Sequence, residues 1–461
     1  MGGLTWWWLT LLVLLAVLVV GGIGWWAAGR ERTAPDAVLV AHSRRLTQLP
    51  AYRAALSRQR VRLLGIGAGS LSLAVTWALY NTFMPLLLGE FIASRGWRGV
   101  IMGLDNVIAI VLIPLVGVWS DRVDGPWGKR LPFLLVAMPV SALLFATLPF
   151  AASHLVTLLA VDVVFLITIT AYRAPLVALL PDHVAPAGRA AANGLITLMG
   201  ASGGAIGLLI VAPLFDEARW LPFTVAAVIA LVCLLVVLRS SDRHPANVTV
   251  GSVEDEAPLL PALVREAVSL TRPPLRGASV LLLAVFFCTL GYSALEAQFS
   301  TYATQTLGMS GGRAGSLLGA ASLAYVAGAV PAGRLAKRFG SALIMTVGAS
   351  TMAVALVIVS FVEDPSSLPV LLAIGGVAWA MVLVPAYPLV VNQGGEAQNG
   401  FFTGMYYLFG SVSSIAGPAL IGATMDVFGN RALFVAVSVS MAIGAALVVT
   451  ARRRQVESPV S

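Results

Sequence analysis

Apolar residues in this chain come in long runs broken by short polar turns. A run of about 20 such residues is the length of a helix that crosses a bilayer. Inside hydrocarbon the backbone must bond to itself, so each run is read as a spanning helix. The pattern predicts an all-α, polytopic membrane protein. Twelve spans fall at 64–89, 99–118, 131–150, 154–178, 190–213, 220–239, 277–303, 311–332, 341–362, 367–391, 399–424 and 431–451. A further run, Leu4 to Ala28, precedes them, with Trp6, Trp7 and Trp8 at one end and Trp25 and Trp26 at the other. Paired aromatic belts mark an uncleaved span; a signal peptide would want a basic start and small residues at the cut.

Charge then sets the orientation. Of 29 Lys and Arg, 23 fall on the side of the basic segment Gly29 to Arg62. Five, Arg95, Arg98, Arg219, Arg313 and Arg431, fall on the other, and Arg173 lies within a span. The positive-inside rule puts the basic side in the cytoplasm, the N-terminus outside and the C-terminus inside. The membrane is a plasma or inner membrane on this reading. Four segments follow: 1–62, an extra first helix with a basic loop; 63–240, a six-helix bundle; 241–276, a cytoplasmic linker; and 277–461, a second six-helix bundle. Asn247-Val-Thr249 fits a glycosylation acceptor, silent on the cytoplasmic face.

Composition narrows the function. Hydrophobic residues make up 58% of the chain and charged ones 11%. That excludes a soluble enzyme, and the net charge of +8 sits in short loops, which argues orientation and not nucleic-acid binding. Cys233 and Cys288 lie within apolar runs, so no disulfide framework is implied. His42, His154, His183 and His244 are scattered without metal-ligand spacing, so no metal site is expected. Gly200-Ala-Ser202-Gly-Gly204 matches a hydrolase elbow in letters only. It sits inside a span, where small residues serve close helix contact.

One turn organises the chain. Gly117-Val-Trp-Ser-Asp121-Arg122 is followed by Gly128-Lys129-Arg130-Leu131-Pro132, between two apolar runs. Gly117 would let helices approach, and Asp121 could meet the N-terminus of the helix starting near Asn399. The second half repeats the turn as Gly333-Arg-Leu-Ala-Lys337-Arg338, with Lys337 where the first copy has Asp121. Gly-x-x-x-Asp-Arg…Gly-Lys-Arg resembles the loop between helices two and three of the major facilitator superfamily. The insert Val123 to Trp127 is similar to the glycoside and sucrose symporter branch. Tyr172-Arg173-Ala-Pro175-Leu-Val-Ala-Leu-Leu-Pro181-Asp182, then Arg189 to Gly194, resembles the join of helices four and five there. The resemblance implies the six-plus-six helix fold and a substrate site near the midplane between the halves. It places an acidic residue early in helix four, where Asp162 stands. The branch's late Arg aligns with Val177, and Arg173 comes one turn earlier.

Charges inside spans are costly, which makes Asp105, Asp162, Arg173 and Glu296 the candidate functional residues. Asp162 and Arg173 are eleven residues apart on one helix face, separated by about 16 Å, so both could line one cavity at different depths. Asp105 lies about 18 Å from the basic turn, where a carboxyl could hold and release a proton. Melibiose-type members resemble this in placing acidic residues on helix two. Asp182 is expected to cap the next helix. For a sugar, Trp77, Tyr80 and Asn81 in span one offer a face and hydrogen bonds. Tyr292, Gln298 and Tyr302 in span seven, Trp379 and Tyr387 in span ten, and Tyr406 and Tyr407 in span eleven extend the set. The expected function is alternating-access, proton-coupled uptake of a sugar or glycoside, by a monomer that needs no cofactor beyond a proton gradient. Two rivals stand beside it. A drug–proton antiporter is suggested by the glycine-rich stretch Gly200 to Gly207, though it lacks the exporters' Gly-Pro pair. A non-transporting membrane sensor is suggested only by the extra helix and basic loop.

Overall fold

The structure is a computed structural model that describes residues 50–184, 189–245, 276–362, 365–393 and 399–457. The extra first helix, most of its basic loop, Asn247 to Thr249 and the body of the linker lie outside those residues.

The described residues form thirteen α-helices. In order they are α1 (Pro50–Gly89), α2 (Arg95–Met102), α3 (Leu104–Arg122), α4 (Leu131–Ala151), α5 (Leu155–His183), α6 (Arg189–Ile206), α7 (Leu221–Ser240), α8 (Arg276–Gln305), α9 (Gly311–Phe339), α10 (Ser341–Ser360), α11 (Leu368–Val391), α12 (Asn399–Phe428) and α13 (Ala432–Glu457). A π turn (Gly207–Val211) and a 3-10 turn (Ala212–Asp216) prolong α6. Among the described residues twelve stretches are long and apolar enough to cross a membrane, with α2 and α3 forming one of them, Arg95–Arg122. Some hydroxyls within the spans bond to their own helix. Ser72 donates to the Gly69 carbonyl at 2.9 Å and Thr76 to that of Ser72 at 3.0 Å, the back-bonding a hydroxyl uses where water is absent.

Spans three to twelve begin and end close to where the apolar runs place them, and α1 starts earlier than expected, at Pro50. Span two differs most in its residues. Arg95 and Arg98 read as loop charges, yet they belong to α2, and Arg98 is only 2% exposed. Ser94 starts this helix, its hydroxyl accepting from the Trp97 amide at 3.3 Å.

Packing divides the chain into two compact units. One holds the described residues up to Tyr80 and those within 111–251; the other holds 81–110 and those from 252 onward. The division by packing thus runs through α1 and α3. In the first unit α4 packs on α5 and α7, and α6 crosses α1 so closely that a Cβ at Gly203 would lie 2.2 Å from the Leu71 carbonyl oxygen. That crossing is what the glycine-rich stretch around Ser202 serves. In the second unit α8 packs on α12 and α13, α11 on α9 and α10, and α2 on α12.

Candidate functional site

Three groups of side chains stand out, each inside one unit.

The first is at the organising turn. Arg130 is its hub: its guanidinium pairs with Asp121, donates to the Ser120 hydroxyl, and donates through Nε to Asp182 Oδ2 at 3.0 Å. Arg130 and Asp182 are nearly buried, with side chains 11% and 8% exposed. Asp182, expected to cap the next helix, is instead the buried partner of Arg130. Gly128 has φ +73° and abuts the Arg243 carbonyl, where a Cβ would sit 1.7 Å from the oxygen. The Arg243 guanidinium lies 4.2 Å above the Trp127 ring, so the insert grips the chain leaving α7. Asp242 closes the group, pairing with Arg62 at 2.8 Å and donating its amide to His183 Nε2 at 2.8 Å. Gly117 serves no close approach: nothing lies within 4 Å of the place its Cβ would take. Arg122 is exposed and Lys129 partly buried, and in the repeat Lys337 and Arg338 are exposed, Arg338 over the Phe339 ring at 5.2 Å. Gly333 makes only ordinary contact, with Val384 at 3.7 Å.

The second group is aromatic, around Asp162 in the first unit. Trp77 and Tyr80 stand edge to face at 5.5 Å, Tyr80 meets Phe165 at 5.6 Å, and Phe165 meets Phe145 at 5.2 Å. Asp162, one turn before Phe165, has no exposed surface, whereas Arg173 is exposed. The two residues expected to share one helix face thus differ in burial, Asp162 being enclosed and Arg173 exposed. The Trp77 indole nitrogen is buried with no hydrogen-bond partner.

The third group gathers the remaining candidates in the second unit. Glu296 of α8 is partly buried, accepts a hydrogen bond from the Asn81 side chain, and lies within electrostatic range of Asp105. Asp105 Oδ1 also accepts from the Asn106 amide and side chain, each at 2.6 Å. One turn before Glu296, Tyr292 stacks face to face on Trp379 of α11, ring centroids 4.0 Å apart and planes 2° apart. Tyr325 of α9 lies within electrostatic range of Tyr292 and of Tyr406. Tyr406 stands edge to face with Tyr387 at 5.4 Å and Tyr407 at 5.5 Å. Aromatic rings from four helices thus form a series of neighbours, of which Tyr292 lies within electrostatic range of Glu296.

Two expected ligands are engaged elsewhere. Gln298 Nε2 donates to the backbone carbonyls of Arg95 and Pro418 at 3.1 and 3.2 Å, and Tyr302 packs edge-on against Phe434 at 4.6 Å. Sequence reasoning missed Tyr325, the lone aromatic in the small-residue stretch Gly319 to Gly328, a contrast that marks it out. It also missed Asp426, which lies two residues beyond the expected end of span eleven and binds the start of α2. Among the described residues no three His, Cys, Asp or Glu gather as a metal site would require.

Among the described residues, twelve stretches fit to span a bilayer, a basic turn that recurs in the second half and carboxylates set within the spans fit a secondary transporter. The Major Facilitator Superfamily profile matches residues 66–312 and 281–461, and the chain belongs to that family. It is 26% identical over 346 residues to the tetracycline resistance protein, class D, of Salmonella ordonez, covering 73% of this chain and 82% of that one. The fold is similar to a bacterial homolog of the human lysosomal transporter Spinster in an inward-facing, occupied conformation. That match has a TM-score of 0.69 and 16% identity, over 87% of this chain and 99% of the other. It is also similar to the nucleoside transporter NupG, with a TM-score of 0.65 and 11% identity over 85% and 99%.

Proposed function

We propose that this transporter exports lipophilic, aromatic cations in exchange for protons. The observation that carries the reading is Glu296, bonded to Asn81 and near Asp105, beside the stacked Tyr292 and Trp379. Two carboxylates in range of each other favour binding a positive charge between them. A proton and a cationic substrate then compete for the same charge, which is the requirement of an exchanger. Aromatic rings supply the rest, since a desolvated cation over a ring gains about 2 kcal/mol. The relative named for tetracycline resistance favours a drug over a sugar as the substrate class.

A sugar is served less well. Gln298 is held by two backbone carbonyls, and Asn81 is bonded to Glu296. Few neutral groups remain for hydroxyls. Sugar symport is the second reading, favoured by the insert Val123 to Trp127 and by the buried, unpartnered indole nitrogen of Trp77.

Inverted vesicles acidified inside separate the two. Export of ethidium against its gradient, lost in Glu296→Gln, supports exchange. Absence of ethidium movement together with acid-driven efflux of preloaded sucrose or maltose from the same vesicles would replace export by symport.

A further inference from the structure

The start of α2 is capped from far away in the chain. A helix leaves its first amides without intrahelical partners and carries partial positive charge there. Here the carboxylate of Asp426, in the last turn of α12, fills that place. Its Oδ1 accepts from the Arg95 amide at 2.8 Å and from the Arg95 guanidinium at 3.3 Å. Its Oδ2 accepts from the Gly96 amide at 3.0 Å and from the Ser94 hydroxyl at 2.7 Å. The four donors belong to one short segment, and all bonds end on one side chain of another helix.

Below the cap the two helices meet through backbone. A Cβ at Gly99 would lie 2.1 Å from the Pro418 carbonyl oxygen, and one at Gly422 would lie 2.5 Å from that of Arg95. Gln298 of α8 bridges the pair by donating to both those carbonyls. Beside them Arg98 donates to the Pro85 carbonyl at 3.3 Å, at the end of α1.

We propose that Asp426 is a releasable latch, which holds α2 on α12 at the face read as external and must let go for that face to open. The observations distinguish a latch from a permanent joint. Arg95 and Asp426 keep 22% and 25% of their side chains exposed, so water can take over each bond as it breaks. The contacts underneath involve glycines and carbonyls, so parting them leaves no side-chain cavity to fill. Segment 81–110 clusters with the second unit, although six-plus-six topology assigns it to the first bundle. Its attachment through this cap is what alternation has to undo. The proposal rests on the chain being an alternating transporter and not on what it carries.

Spin labels on Trp97→Cys and Val427→Cys, at positions 66% and 74% exposed, report the α2–α12 separation in the full-length protein without substrate. The native cysteines are buried and stay unlabelled. With Asp426 intact one short distance is expected. Asp426→Ala should add a longer population and raise the open-to-closed ratio at least about tenfold. Asp426→Asn should fall between, since it keeps an acceptor and loses the charge. Gln298→Ala should shift the ratio in the same direction. If the alanine variant does not fold, the asparagine and Gln298 variants carry the test. An unchanged distribution in the folded variants overturns the latch while leaving the export reading intact, and an export failure with a shifted distribution does the reverse.

Discussion

Single residues divide here into those that hold the fold and those that face a charge. Arg130 belongs to the first kind. With Asp182 nearly buried against it, removing the guanidinium leaves a carboxylate with no counter-charge in a poor solvent. Arg130→Gln should cost on the order of 3 kcal/mol, read as a lower melting temperature of the purified protein. Asp182→Asn in that background should recover much of the loss, because the orphaned charge goes with it. Glu296 belongs to the second kind, and Glu296→Gln should leave the melting temperature nearly unchanged while abolishing driven export. Charged residues inside apolar runs are legible as candidates because hydrocarbon makes them costly, and Asp105, Asp162, Arg173 and Glu296 are singled out that way. What each meets was not legible. Arg173 reads as Asp162's companion by helical spacing, yet neighbouring helices bury one and leave the other exposed. Gln298 reads as a sugar ligand by its chemistry, and only the approach of α2 and α12 shows its amide engaged.

At the scale of elements, long apolar runs fixed nearly every helix, since a backbone in lipid has no alternative to bonding within its own segment. The failure at span two has a specific cause. Arg95, Arg98 and three glycines dilute the first turns of that span, so the run seems to begin later. Their meaning depends on α12, which a local pattern cannot display. The glycines on this face are consequently sensitive to size. Gly99→Val would drive a side chain into the Pro418 carbonyl and cost about 2 kcal/mol, visible as reduced thermal stability. Gly117→Val, at a position with open space, should leave stability near that of the native protein. The same element scale explains the insert before Gly128. Trp127 under Arg243 and the positive φ of Gly128 secure the chain after α7, and a resemblance to one symporter branch did not reveal that contact.

For the whole molecule, the family is that of secondary transporters, and the two proposals give it a charge to exchange at Glu296 and a clasp at Asp426. If α2 and α12 must separate in each cycle, a bond across them should stop turnover. Gly96→Cys with Ala423→Cys places the second-residue Cβ 3.2 Å from the position of the first. Oxidation of that pair should halt transport and reductant should restore it; full activity while cross-linked would mean that this contact never opens. The central claim is exchange of a cationic aromatic compound for protons through Glu296, and proton movement tests it most directly. In proteoliposomes holding a pH-sensitive dye, adding ethidium should produce an opposing proton flux that Glu296→Gln lacks. Ethidium crossing with no proton movement, or protons moving in the same direction as an added sugar, would contradict it.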